Sequence, residues 1–176
     1  SKVLLRILLK RLQPQVEGLL ADEQAGFRKG RSTVEQIFNL RMLIEKYRDH
    51  QQAVYHCFID FRKAFDRVWH KALFKIMRAH GIEARIVDLI EALYATTEAA
   101  IVVGSTITDW FTTSVGVRQG CLLSPCLFNV FLEYIMSDAL EEFDGSVCIG
   151  GMCVTNLRFA DDIDLIASSV EELMDL

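Results

Sequence analysis

Proline is scarce in this chain: Pro14 and Pro125 are its only two in 176 residues. No stretch rich in proline, glycine and serine marks a linker, and there are no internal repeats or low-complexity tracts, so one compact body is expected. Long apolar runs are missing too. The best candidate, Cys121 to Met136, is interrupted by Ser124, Pro125, Asn129 and Glu133, which excludes a membrane-spanning reading. The amphipathic basic N-terminus lacks a signal-peptide cleavage pattern. None of the five cysteines forms a CxxC pair, and His50, His56, His70 and His80 share no metal-ligand spacing, so no zinc site is expected. An odd count without a framework implies buried free thiols in a reducing compartment, although Cys148 and Cys153 can face each other across a short hairpin.

What the chain does have is an uneven charge. Hydrophobic residues make up 51% and charged residues 24%, an ordinary globular composition. The net charge of −5 conceals a division: residues 1–80 hold 16 Lys+Arg against 8 Asp+Glu, whereas residues 81–176 hold 3 against 16. A basic half can grip phosphates and an acidic half can hold cations; plain segregation of surface charge gives the same pattern.

Periodicity and punctuation predict a helix over Lys2–Leu12 ended by Pro14, then a glycine-containing basic loop, "DEQAGFRKGR", over Asp22–Arg31. Ser32 and Glu35 form a capping box for a helix reaching about His50, with Val34, Ile37, Phe38, Ile44 and Tyr47 at helical spacing. Ala53–Phe61 reads as a buried strand. A long helix over Lys63–His80 stops at Gly81, and a second covers Ala84–Ala95. A hairpin turns near Gly104-Ser105, a helix opens at Ser124-Pro125, and two more hairpins turn at Gly150-Gly151 and at Asp161-Asp162. The fold class is α+β, a small and mostly antiparallel sheet with helices packed on one face.

The chemistry sits in three places. "RFADDIDLIA" puts Asp161 and Asp162 side by side in an apolar run, where two carboxylates about 4 Å apart cost roughly 4 kcal/mol at an effective dielectric near 20. "CFIDFRKAFD" ends another apolar strand on Asp60, just before a helix. If those strands are neighbours, three carboxylates converge, and divalent cations would relieve the cluster: Mg²⁺ favours carboxylates plus substrate phosphates, and two ions about 3.5–4 Å apart are the apparatus of nucleotidyl transfer. The plainer alternatives are a turn aspartate pair and a helix N-cap. "GVRQGCLLSP" adds a two-glycine loop that lets backbone approach a ligand, with Gln119 ahead of a helix start.

In this order, "AGFRKGRST", "FIDFRKAFD", "GVRQGCLLSP" and "RFADD" resemble the reverse transcriptase domain of non-LTR (LINE-type) retrotransposons over nearly the whole chain; group II intron reverse transcriptases are similar at greater distance. The resemblance implies an RNA-directed DNA polymerase that joins dNTPs to a DNA primer 3′-OH on an RNA template, using two Mg²⁺ or Mn²⁺ ions. It implies a catalytic, metal-binding triad of Asp60, Asp161 and Asp162, with the backbone carbonyl of Phe61 completing a metal shell. The amides of Lys63 and Ala64 would touch the triphosphate, and Phe65 would be the steric gate against a ribose 2′-OH. Gln119 and Gly120 would line the nascent pair, and Phe159 and Ala160 would lie under the primer end. Asp66 reads as a helix-surface residue and Asp164 as a solvated strand position. Arg28, Lys29 and Arg31 are either template contacts or a solvated loop.

By the same resemblance, residues 1–52 are partial fingers and 53–176 a palm, with 81–118 open to packing as fingers. The thumb would be absent. A fused endonuclease and thumb are expected in a longer protein, acting in the nucleus or cytoplasm without a membrane, and the fragment is expected to be inactive alone. A maturase-like RNA-binding module and a non-catalytic remnant of a retroelement are the alternatives.

Overall fold

The computed structural model describes residues 2–176. Helix α1, Lys2–Glu17, runs through Pro14 instead of stopping before it. An interior proline costs about 3 kcal/mol. Leu8, Leu12 and Val16, four residues apart, are all buried, and burying Val16 returns about 1.5–3 kcal/mol, so the stripe carries the helix past the breaker. Helix α2, Thr33–Asp49, opens as its capping box requires: Ser32 Oγ accepts a hydrogen bond from the Glu35 amide at 3.3 Å. Its apolar stripe is not core, however. Val34, Ile37, Phe38 and Ile44 are exposed, and Leu43 is the buried residue of the helix.

The expected helix over 63–80 is two pieces, a 3₁₀ turn at Ala64–Arg67 and helix α3 at His70–Ala79. Lys63 enters the turn in the left-handed region at φ 57°, and Val68 and Trp69 are extended. That extended backbone is used for pairing. Gly116 N–H donates to the Val68 carbonyl at 2.8 Å, His70 N–H to that of Ser114 at 3.2 Å, and Trp69 bridges Val115. Gly81, at φ +73°, follows the end of α3, and α4 covers Ala84–Ala95. Strands β2 (Glu98–Ala99) and β5 (Phe111–Thr112) pair outside β3 (Val102–Val103) and β4 (Thr106–Ile107), which turn at Gly104-Ser105. Helix α5 spans Ser124–Ala139. No described helix is long and apolar enough to cross a membrane.

Packing divides the chain into two compact units: residues 1–19 with 63–131, and residues 20–62 with 132–176. The second contains β1 (Tyr55–Asp60), β6 (Cys148–Ile149), β7 (Met152–Cys153), β8 (Asn156–Phe159), β9 (Asp162–Ala167) and α6 (Val170–Asp175). Its antiparallel sheet has the order β1-β9-β8. β1 is therefore an edge strand with a partner on one side only, and it is largely exposed, Phe58 at 72%, where a buried strand was expected.

The central strand β9 is buried from Ile163 to Ala167, with Ile163, Leu165 and Ala167 on one face and Ile166 beside the buried Asp164 on the other, so it needs cover on both. Leu43 of α2 packs with Ile166 on one side. On the other, Glu133 of α5 pairs with the buried Arg158, the cross-strand partner of Ile163. Helices thus flank the sheet on both faces, not on one. Cys148 and Cys153, cross-strand partners in the β6–β7 hairpin, form a disulfide. The pair that could face each other across the hairpin is thus bonded where free thiols were expected, and Cys57 is exposed where buried thiols were expected.

Candidate functional site

The second unit concentrates acids at one end of its sheet. Phe159 and Asp162 are register partners, so Ala160 and Asp161 form a two-residue hairpin turn. Turns of this length need positive φ at the first residue or at both, normally supplied by glycine or asparagine. Here Ala160 has φ 59°, a left-handed conformation that costs a non-glycine residue about 1–2 kcal/mol.

A segment distant in sequence holds that turn. Arg158 N–H donates to the Glu23 carbonyl at 3.0 Å and Ala25 N–H to that of Arg158 at 2.9 Å, so residues 23–25 lie along β8. Gln24, 1% exposed, donates its side-chain amide to the Ala160 carbonyl at 3.1 Å. Its Oε1 accepts from the Ala160 amide at 2.9 Å and from the Gly26 amide at 2.7 Å. A Cβ on Gly26 would meet the Ala160 nitrogen at 2.1 Å, so only glycine fits there. The sequence reading did not single out Gln24. Its one available signal was a long amide next to a glycine in a loop otherwise read for its basic residues.

Strand β1 brings the third acid. Asp60 is the register partner of Asp162, and directly opposed residues share a face with Cβ atoms about 4.5–5.5 Å apart. Asp60 and Asp162 are exposed and Asp161 is half-buried. Among the described residues none of the three carboxylates takes part in an ion pair or side-chain hydrogen bond. Nor does any group of three His, Cys, Asp or Glu side chains stand ready to hold a metal ion. The donor set is thus two exposed carboxylates and one half-buried one without a side-chain cation, oxygen chemistry that fits a hard divalent ion, but among the described residues the side chains do not converge on one point. An open groove of about 300 Å³ runs alongside, lined by Ile37, Leu40, Phe58, Phe159, Asp60 and Asp162 among others.

Two residues on from Asp162, Asp164 is 7% exposed and not solvated. His56 Nδ1 lies 3.1 and 3.0 Å from its two oxygens. Burial pushes the Asp164 carboxyl above the usual range, partly offset by the charge and hydrogen bond of His56. His56 Nε2 is buried without a partner. In the basic loop, Arg28 donates to the carbonyls of Ala21 and Gln24 at 2.6 and 2.9 Å, and Arg31 pairs with Asp22 and Glu35 at 2.9 and 2.6 Å. Both side chains thus have partners within residues 21–35. Lys29 and Phe61 are exposed.

The other expected site residues lie in the first unit. Lys63 precedes the 3₁₀ turn that carries Ala64 and Phe65. The Phe65 ring stacks on Phe128 with centroids 4.4 Å apart, and its carbonyl accepts from the Val117 amide at 2.8 Å. Gln119 donates its side-chain amide to Asp66 Oδ1 at 3.0 Å. Gly120, at φ +78°, has open space around the position of a Cβ. His70, buried, contacts the Gly116 carbonyl through Nε2 at 2.7 Å. Arg118 lies over the Tyr94 ring at 5.4 Å and donates to the Leu93 carbonyl and Thr97 Oγ1, each at 2.8 Å. The "GVRQG" loop and the turn after Asp60 are therefore laced together inside one unit.

The fold, a small antiparallel sheet with flanking helices, is similar to that of solved telomerases. The apo telomerase of Candida tropicalis truncated from its C-terminal domain matches with a TM-score of 0.72 at 16% identity, over 97% of this chain and 35% of that one. The same enzyme with the TWJ fragment of telomeric RNA matches at 0.68 and 16% identity, over 95% and 29%. The chain belongs to the reverse transcriptase (RNA-dependent DNA polymerase) family, whose model matches residues 1–176. It is related to the Pol proteins of non-LTR retrotransposons. It is 37% identical over 108 residues to the Pol polyprotein of a type-1 R2 element of Popillia japonica, 61% of this chain and 18% of that protein. It is 30% identical over 168 residues to that of Nasonia vitripennis, 96% and 16%. It is 32% identical to the probable RNA-directed DNA polymerase of the BS transposon of Drosophila melanogaster over 96% of this chain and 18% of that protein. The chain spans less than a fifth of the length of these relatives.

Proposed function

We propose that this chain carries the nucleotidyl-transfer centre of a non-LTR retrotransposon reverse transcriptase, a palm with part of the fingers, which extends a DNA primer with dNTPs on an RNA template. The observation that supports it most is the register of Asp60 opposite Asp162, with Asp161 in the adjoining turn. Unneutralised, such a pair is a cost, since like charges directly opposite in a sheet are destabilising. Family membership supplies a use that outweighs the cost.

In this reading Asp60, Asp161, Asp162 and the carbonyl of Phe61 hold the ions. Bound Mg²⁺ or Mn²⁺ would supply the charge that activates the primer hydroxyl and steadies the leaving pyrophosphate. The chain's own residues do the rest. Phe159 and Ala160 support the primer end. The amides of Lys63 and Ala64 begin a helical turn and lack an intrahelical acceptor, which leaves them to donate to the triphosphate. Phe65, braced by Phe128, occupies the space of a 2′-OH. Gln119 and Gly120 border the new base pair, where a glycine lets template backbone come close.

Primer extension on an RNA template with Mg²⁺ or Mn²⁺ tests this, using the chain alone and spliced into an R2-type polyprotein. Extension by the spliced protein that disappears in Asp161→Ala and Asp162→Ala is the expected result. RNA retention without metal-dependent synthesis would instead mark a maturase-like module, and neither activity a non-catalytic remnant.

A further inference from the structure

We propose that Gln24 is a positioning residue: it clamps the Ala160–Asp161 turn and thereby sets the affinity of Asp161 and Asp162 for divalent cations. The inference rests on the polymerase reading above. Its observations are the buried Gln24 amide and the backbone it holds. The side chain is 1% exposed, and both of its polar atoms are used, making three hydrogen bonds to the backbones of Gly26 and Ala160. Among the described residues no other side chain is bonded to Ala160.

The clamp meets a specific need. Ala160 stands in a conformation that glycine adopts freely and alanine does not, so the turn is not fixed by its own sequence. The two acids follow at once along the chain. If Ala160 relaxed towards negative φ, the peptide leading to Asp161 would rotate and the register partner of Asp60 would shift. Glutamine suits the task because one side chain must both accept from and donate to the same residue. Asparagine is a methylene shorter, and an ionised glutamate has no donor. Gly26 completes the fit, since no larger residue leaves room for the Ala160 backbone.

The test is Mn²⁺ binding by the 176-residue chain, read from loss of the free-ion paramagnetic resonance signal, with circular dichroism confirming that each variant is folded at the temperature used. Gln24→Ala is expected to weaken Mn²⁺ binding about 10–100-fold, the usual loss when a residue supporting a metal ligand is removed. Adding Ala160→Gly to Gln24→Ala is expected to recover most of that loss, because glycine enters the turn without a clamp. A purely structural role for Gln24 gives no such recovery, and its absence would overturn the inference. Gln24→Met removes the three bonds while keeping the length and apolar character of the side chain; it gives the same reading should Gln24→Ala not fold. Equal binding by wild type and Asp162→Asn would overturn the polymerase reading and this inference with it. Mn²⁺ binding left unchanged by Gln24→Ala or Gln24→Met would overturn the inference alone.

Discussion

Gln119 donates its side-chain amide to Asp66 at 3.0 Å, joining the "GVRQG" loop to the short turn that carries Phe65. Both residues are exposed, so the bond does little for stability. Asp66→Ala and Gln119→Ala are each expected to cost about 0.5–1.5 kcal/mol or less. The double variant should cost less than the sum of the two, because the residues share one bond. Urea unfolding of the four proteins measures this. Strict additivity would mean that the bond does not form in solution.

Asp60 and Asp162 face each other without a side-chain cation, so their repulsion should be measurable. Asp162→Asn is expected to raise stability by about 0.2–1 kcal/mol in EDTA at low salt. The gain should shrink at 1 M salt, where the Debye length falls to about 3 Å. Mg²⁺ should stabilise the wild type through preferential binding to the folded state and leave Asp162→Asn unchanged. Thermal melts in EDTA and in Mg²⁺ provide both comparisons.

The three free thiols should react in order of access. Burial pushes the Cys126 thiol up to about 12, with a smaller contribution from Glu17. At pH 8 only about one Cys126 in ten thousand is then a thiolate, the reactive form. Cys57 is exposed. Iodoacetamide followed by mass spectrometry should label Cys57 first and Cys126 last. Labelling of Cys126 should rise about tenfold per pH unit up to its pKa while the fold persists. Early labelling of Cys126 would mean that its side of α5 is open.

Cys148 and Cys153 close a loop with a sequence separation of 5. Loop-closure entropy for so short a loop is worth about 2 kcal/mol. The hairpin adjoins the cluster of Leu43, Val147 and Ile166. Cys148→Ser with Cys153→Ser, or reduction by dithiothreitol, should lower unfolding stability by about that amount. Mass spectrometry of the alkylated protein checks that the bridge forms at all.

Elements governed by neighbouring residues were legible without coordinates. The Ser32 cap, the Gly81 stop, helix Ala84–Ala95, the α5 start and the Gly104, Gly150 and FADD hairpins depend on local rotamers, caps and turn preferences. The motif order that marks the family is likewise a property of the linear chain. What neighbours could not decide is where apolar stripes find cover. Pro14 lies inside a helix because Val16 is buried beyond it. Val34, Ile37 and Phe38 have helical spacing and yet face outwards, and the strand of Asp60 is an edge strand because among the described residues no strand pairs on its far side.

The amino-acid order by itself determined which acids the chain holds, which hairpin carries two of them and which family spells its motifs this way, because those follow from residue type and short spacing; the turn itself falls one residue earlier than expected, at Ala160-Asp161. Only the tertiary structure decided that Asp60 stands opposite Asp162, that Asp164 is buried against His56, and that Gln24, 136 positions before Ala160, grips its backbone. Each of these depends on strands and loops meeting across long stretches of chain. That meeting is set by how the whole chain satisfies its buried hydrogen bonds and covers both faces of β9, and no local pattern encodes it.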